Sequence, residues 1–136
     1  MYAIKTEVTD PNAFEWSFPR QKTMYGGKKI ATGDTVLVFA SENEGGIGLI
    51  AKGVVTSAEA TPRREGIERQ TPRVSIVVRR MKLAKLRLGR TELRPFNIWE
   101  DGQPETELNF KFYRQATNKI GGISTLTAAF LEGCFC

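Results

Sequence analysis

The chain has 136 residues, of which 40% are apolar and 26% charged, and its net charge is +5. This length suits one hydrophobic core, so we predict a single domain over residues 1–136. The composition excludes wholesale disorder, and no run of eighteen apolar residues predicts a membrane span. The first residues, MYAIKTEVTD, lack the pattern of a signal peptide, which predicts a cytoplasmic protein with no membrane partner.

Two residue types are too scarce for several classes of chemistry. The chain contains no histidine, which excludes Ser–His and Cys–His nucleophile systems. Its two cysteines, Cys134 and Cys136, are too few for a zinc site and too close for a well-spaced disulfide. We therefore expect no metal, no cofactor and no enzymatic activity.

The first elements are a short strand and an aromatic segment. Tyr2–Lys5 is typical of a strand. Phe14, Trp16 and Phe18 follow a turn-like stretch and come directly before Pro19, which makes a long regular helix there improbable. We expect a short helix or irregular segment that carries the three aromatic side chains.

A β-hairpin with a glycine-rich, acidic loop is predicted over Gly33–Val55. Its strands are Val36–Phe39 and Ile47–Val55, and the second carries Gly48 and Gly53. Glycine inside a strand usually marks a bulge or a close approach of backbone. We therefore predict that a ligand can approach the backbone here.

The remaining elements are longer and include a terminal helix. Arg73–Leu83 alternates as a strand, Leu86–Pro95 reads as a connector, and Leu108–Tyr113 is a candidate closing strand. Ser124 is a suitable N-cap for a helix over Thr125–Glu132. Several strands with short helices predict an α+β fold on a small curved barrel of about five to six strands. The residues expected to turn this helix towards the core are Leu126, Ala129 and Phe130.

Positive charge is concentrated between residues 62 and 94. This segment holds eleven Lys or Arg residues and three Asp or Glu residues, a local charge of +8. Nine of the eleven are arginine, the side chain best suited to phosphate. We favour a nucleic-acid-binding surface over an inert solvated face. The predicted phosphate-binding residues are Arg63, Arg64, Arg69, Arg73, Arg79 and Arg80.

Three stretches resemble the EVE domain of the PUA-like superfamily. They are YAIKT at residues 2–6, the hairpin at 33–55, and NFKFYRQATNKIGGIS at 109–124. The order of elements also resembles the related YTH domain, through Ile4-Lys5-Thr6, Trp16-Ser17 and the loop of the hairpin. The resemblance implies a small barrel flanked by helices, whose pocket accepts a modified base taken out of a nucleic-acid stack.

Carried over by position, the resemblance implies a base pocket with Trp16 as one aromatic wall. The YTH pattern has a second tryptophan after the hairpin, and residues 56–72 here contain none. Phe39, Tyr113 or Trp99 would then supply another wall. The predicted pocket residues are Lys5, Thr6, Trp16, Ser17, Phe39, Ser41, Tyr113, Arg114 and Asn118.

The predicted function is recognition of a modified base in DNA or RNA, with a modified cytosine first and methyladenine second. Trp16 has an alternative role as a core residue beside Phe14 and Phe18. Two alternative functions stay open at this point. One is a small enzyme acting on a modified nucleotide or nucleoside through Glu42, Glu44 or Lys5, and the other is a module that binds an acidic protein. The sequence does not distinguish DNA from RNA or indicate an oligomeric state.

Overall fold

The computed structural model describes residues 1–62, 65–66, 70–115 and 117–135. Six strands close into a barrel, which confirms the predicted α+β barrel with short helices. In chain order the strands are β1 (Tyr2–Thr6), β2 (Glu15–Met24), β3 (Thr35–Ala40), β4 (Gly48–Ala60), β5 (Arg73–Leu83) and β6 (Lys119–Gly122). The helices are α1 (Arg90–Leu93), α2 (Pro104–Leu108) and α3 (Thr125–Glu132), and a π-helical turn over Asn109–Tyr113 continues α2.

The strand order around the barrel is β1-β3-β4-β5-β2-β6. β1 runs parallel to β3 and antiparallel to β6, and β2 runs parallel to β6. The other three pairs are antiparallel. This register sets Lys5 of β1 opposite both Phe39 of β3 and Lys119 of β6.

Alternation along the strands separates two apolar layers. Ile4, Val36 and Val38 face the barrel interior, where they pack in one cluster with Trp16 and Phe18. Their neighbours along β1 and β3 face outwards and are covered by the helices. The outer cluster contains Ala3, Leu37, Phe39, Leu88, Leu93, Leu108, Phe112, Ile123, Leu131 and Phe135.

The segment around Trp16 is a strand, so the predicted short helix or irregular structure is wrong. Trp16 and Phe18 are buried while Glu15 and Ser17 are exposed, which is the period of two expected of a strand. The rings of Trp16 and Phe18 stack with centroids 6.3 Å apart. Phe14, in contrast, is 76% exposed.

Leu108–Tyr113 is helical, so the predicted closing strand is also wrong. Pro104 begins α2 at a position where its missing N–H is tolerated. Leu108 and Phe112 are then buried four residues apart, on one helical face. β6 occupies the closing position instead, between β1 and β2.

The bounds of α3 agree with the prediction, but its buried face does not. Ser124 Oγ accepts a hydrogen bond from Thr127 N at 3.2 Å, as expected of an N-cap. Leu126 is 60% exposed, whereas the helix buries Thr127, Ala128 and Leu131. None of the described helices is long and apolar enough to cross a membrane.

Candidate functional site

The loop after β3 meets the segment that leads into α1. Leu49 N donates a hydrogen bond to Leu88 O at 2.8 Å. A side chain at Gly48 would collide with the backbone of Leu88 and Gly89, and Gly48 also has a positive φ of 90°. The predicted close approach at this glycine is therefore to the protein's own backbone, and it brings α1 against the hairpin loop.

A cavity of about 430 Å³ opens beside this junction. Its volume lies within the range of small-molecule sites. Its polar lining comes from α1, from the chain after it and from the π-helical turn. The lining residues are Arg90, Arg94, Asn97, Asn109, Tyr113 and Arg114.

Three buried side-chain oxygens at this junction have no hydrogen-bond partner among the described residues. They are Ser41 Oγ, Glu42 Oε1 and Tyr113 Oη. The other carboxylate oxygen of Glu42 accepts a hydrogen bond from Arg90 N at 2.6 Å. Buried polar atoms are nearly always paired, so these oxygens are available to a bound water or a ligand, and those of Glu42 and Tyr113 also lie close to each other.

Burial and charge shift the titration of two groups at this junction. Lys5 is 1% exposed, and its ammonium lies 5.0 Å from the centre of the Tyr113 ring. Burial lowers the pKa of Lys5, although the Glu42 carboxylate works in the opposite direction. Burial raises the pKa of the Tyr113 hydroxyl, and the adjacent Glu42 carboxylate adds to the rise because it is negatively charged and can accept from this hydroxyl, which therefore stays protonated.

A second buried lysine lies next to Lys5 on β6. The ammonium of Lys119 donates to Lys111 O at 2.7 Å and to Gln115 O at 3.0 Å. Burial, followed by the nearby Lys5 ammonium, lowers the pKa of Lys119 to about 8. Lys119 thereby fixes the end of the π-helical turn against the barrel.

Six of the predicted pocket residues come together at this end of the barrel. Tyr113 and Arg114 line the cavity. Phe39 contacts the Tyr113 ring edge-on, with centroids 6.5 Å apart. Asn118 Nδ2 donates to Glu44 Oε1 at 2.7 Å. Lys5 and Ser41 complete the group.

Of the other three predicted pocket residues, Trp16 and Ser17 lie elsewhere. Trp16 is 6% exposed inside the barrel, and its indole N–H donates to Asp10 O at 2.8 Å. Ser17 is exposed on β2, opposite Val77. Thr6 is buried at the cavity end of β1, where its carbonyl oxygen accepts a hydrogen bond from Ser41 N at 2.8 Å, but it does not line the cavity. The structure thus places Trp16 in the core beside Phe18 instead of in an open pocket, because the strand alternation turns its ring inwards.

The predicted phosphate-binding arginines that the structure describes are not at the cavity. Arg63, Arg64 and Arg69 lie outside the described residues. Arg73, Arg79 and Arg80 are on β5, which is three strands from β1 in either direction around the barrel. Two of these make backbone contacts: the Arg73 guanidinium donates to Arg20 O and the Arg80 guanidinium to Asn12 O, each at 2.9 Å.

The cavity includes four residues that sequence reasoning did not assign to it. Arg90 and Arg94 are the last two arginines of the basic segment at residues 62–94, so the concentration of positive charge gave a weak indication of their role. Nothing in the sequence indicated Asn97 or Asn109, because we predicted a connector over Leu86–Pro95 and a strand over Leu108–Tyr113. The structure shows that this stretch holds α1, α2 and the π-helical turn.

The structure also bears on metal binding and on acid-base catalysis. Among the described residues, no three Cys, Asp or Glu side chains are placed to hold a metal ion. The acid-base candidates Lys5, Glu42 and Glu44 lie at the cavity end of the barrel, where Glu42 is held by Arg90 N and Glu44 by Asn118.

Comparison with known proteins gives structural likeness alone. No family model matches the sequence, and no curated protein matches it. A protein of Pseudomonas putida solved by X-ray crystallography has a TM-score of 0.63 and 12% identity, over 98% of this chain and 97% of its own. The DUF55 domain of human thymocyte nuclear protein 1 has a TM-score of 0.62 and 10% identity, over 97% of this chain and 96% of its own. This chain therefore shares the fold of these two proteins, which here is a small closed barrel of six strands with short helices.

Proposed function

We propose that this protein is a non-enzymatic, nucleic-acid-binding module of the EVE type that recognises a modified base, with a modified cytosine as the first candidate and methyladenine as the second. The observation that carries the proposal is the arginine-lined cavity beside three buried oxygens that no described residue satisfies. The fold and the resemblance of residues 2–6, 33–55 and 109–124 to EVE domains support it.

The chemistry of the three oxygens suits the edge of a base. Glu42 Oε1 is an acceptor for the amino group of cytosine or adenine. The hydroxyls of Ser41 and Tyr113 can donate to ring nitrogen or carbonyl oxygen. Pairing all three on one ligand would remove the cost of leaving them buried and unpaired, and that gain would offset the few kcal/mol needed to flip a base.

The positive lining suits the phosphates beside the flipped base. Arg90, Arg94 and Arg114 are all exposed at the cavity, and no salt bridge joins any of them to an acidic side chain among the described residues. Guanidinium groups hold phosphate oxygens in bidentate geometry. In this proposal the basic segment contributes through its end, at α1, more than through β5.

The test is binding of the purified protein to short single strands of DNA and RNA at two salt concentrations. The strands carry cytosine, methylcytosine, hydroxymethylcytosine, adenine or methyladenine at one central position. We expect affinity that falls with salt and is highest for one modified base. Equal affinity for all strands would overturn the modified-base proposal, and no binding would overturn the nucleic-acid proposal.

The matched variants are Tyr113→Phe and Tyr2→Phe, which each remove one hydroxyl. Tyr113 is at the cavity, whereas Tyr2 is at the opposite end of β1. Tyr113→Phe should weaken binding of the preferred strand roughly threefold to tenfold, the effect of one hydrogen bond. Tyr2→Phe should leave it unchanged, and equal behaviour of the two variants would place the base elsewhere.

A further inference from the structure

An aromatic pair of one exposed and one half-buried ring lies next to the cavity. Trp99 is 60% exposed in the turn before α2. Its ring contacts Phe110 of the π-helical turn, with centroids 5.0 Å apart and planes inclined at 57°. The other tryptophan of the chain, Trp16, is buried.

The turn that carries Trp99 is held in place by hydrogen bonds to α2. Asp101 accepts hydrogen bonds from Gln103 N at 2.9 Å and from Thr106 Oγ1 at 3.0 Å. Asn109 Nδ2 donates to Phe96 O at 2.9 Å and so ties the preceding chain to the π-helical turn. A surface held in this way loses little conformational entropy when it binds.

Arg114 connects the aromatic pair to the cavity. Its guanidinium lies 4.6 Å from the centre of the Phe110 ring, and the same residue lines the cavity. Trp99, Phe110 and Arg114 therefore form a continuous series of flat groups that begins at the cavity and ends at an exposed indole. We call these three residues the stacking platform.

We propose that the stacking platform binds the unpaired nucleotide that adjoins the base held in the cavity. This proposal rests on the function proposed above and adds a second subsite to it. Aromatic faces and guanidinium planes stack on any base, and this is how proteins commonly hold single-stranded nucleic acid. A positive charge inside the series suits the phosphate between the two nucleotides.

The test compares Trp99→Ala with Phe14→Ala. Phe14 is a matched control because it is also exposed and also carries an arginine on its ring, at 4.4 Å, but it lies on the β2–β5 side of the barrel. The probe is a ten-nucleotide single strand with methylcytosine at the centre, as DNA and as RNA. Two further versions of each strand replace the 5′ or the 3′ neighbour of the methylcytosine with an abasic site.

We expect Trp99→Ala to weaken binding of the intact strand by about tenfold, within the roughly 5- to 150-fold effect of one stacked base. The wild-type protein should lose a similar factor when one of the two neighbours is abasic, and Trp99→Ala should lose nothing more on that strand. Phe14→Ala should bind within twofold of the wild type. This pattern would assign the platform and also show which neighbour it holds.

Other results separate the two proposals. Binding that prefers a modified base but is unchanged by Trp99→Ala and by both abasic neighbours would overturn the platform and leave the base pocket standing. Binding that depends on Trp99 without any preference for modification would leave the platform and overturn the modified-base reader. No binding by the wild type would overturn both.

Discussion

The barrel interior and the side of the barrel that the helices cover differ in how their buried polar groups are paired. The interior is apolar, and the polar atom of Trp16 within it is satisfied by Asp10 O. On the helical side, two lysines are buried and three oxygens lack partners among the described residues. Both sides have a buried apolar cluster, but it is the helical side that retains polar groups able to bind a ligand.

Replacing each of the two tryptophans should show the largest difference in stability between the two regions. Trp16→Ala leaves a large cavity in the interior and should lower the free energy of unfolding by about 3 to 5 kcal/mol. Trp99→Ala removes an exposed ring and should cost about 0.5 kcal/mol. Urea denaturation followed by circular dichroism measures both, and similar losses would contradict the separation of the two regions.

Glu107 tests how the helical side is held together where its polar groups are paired. Burial by itself raises the pKa of the Glu107 carboxyl, but hydrogen bonds from Lys111, Ser124 and Thr127 outweigh it and lower the pKa to about 2. Its stabilising contribution is complete above pH 4.5 and is lost as the pH falls towards 2. Glu107→Gln should therefore cost about 2 to 3 kcal/mol at pH 7.

The measurement for this variant is urea denaturation as a function of pH. The stabilities of wild type and Glu107→Gln should converge below pH 4.5, because the wild-type carboxylate is then being protonated as well. A constant difference down to pH 3 would show that the charge of Glu107 does not hold α3 against α2.

The buried lysines predict a rise in stability on the alkaline side. The pKa of Lys119 is about 8 in the folded protein and 10.5 for a free side chain. Between these values the unfolded chain binds more protons, so the free energy of unfolding increases with pH. Lys5 acts in the same direction. We expect the two lysines to contribute a gain of about 1 to 2 kcal/mol between pH 8 and pH 10, against an opposite contribution from Cys134 and Tyr113, whose pKa values are raised by burial.

Lys119→Met provides the control for this pH dependence. Whatever its stability at pH 7, the variant should show a smaller increase between pH 8 and pH 10 in urea denaturation. An increase equal to that of the wild type would assign the effect to other groups.

Tyr113→Phe should have the smallest effect on stability. Its hydroxyl lies beside the Glu42 carboxylate but makes no well-formed hydrogen bond to a described residue, so removing it should change the free energy of unfolding by less than about 0.5 kcal/mol. Calorimetric or urea unfolding checks this beside the binding assay. A loss above about 1 kcal/mol would mean that the hydroxyl is paired in the folded protein, and the site would then have one fewer group for a ligand.

Local patterns predicted four of the six strands, β1, β3, β4 and β5, and the terminal helix. The alternation over Arg73–Leu83 and the N-cap at Ser124 are determined by neighbouring residues, and both agree with the structure. The pattern over Leu108–Tyr113 failed because Leu108, Phe110 and Phe112 fit a strand, while the burial of Leu108 and Phe112 follows a helical period.

The candidate site was harder to predict because its residues are distant in sequence. Lys5, Ser41 and Tyr113 were found through the family resemblance, and the structure brings them together. Arg90 and Arg94 reach the cavity only because Gly48 lets β4 approach the backbone before α1. Such a contact depends on the packing of two loops, and no periodicity in the sequence encodes it.

The most direct test of the central claim compares two double variants with the same loss of charge. One is Arg94→Ala with Arg114→Ala at the cavity, and the other is Arg73→Ala with Arg79→Ala on β5. The first should weaken binding of a single-stranded decamer at least tenfold and reduce the salt dependence by about two phosphate contacts. The second should bind within about threefold of the wild type. A larger loss from the β5 pair would contradict the account and place nucleic acid on the other side of the barrel.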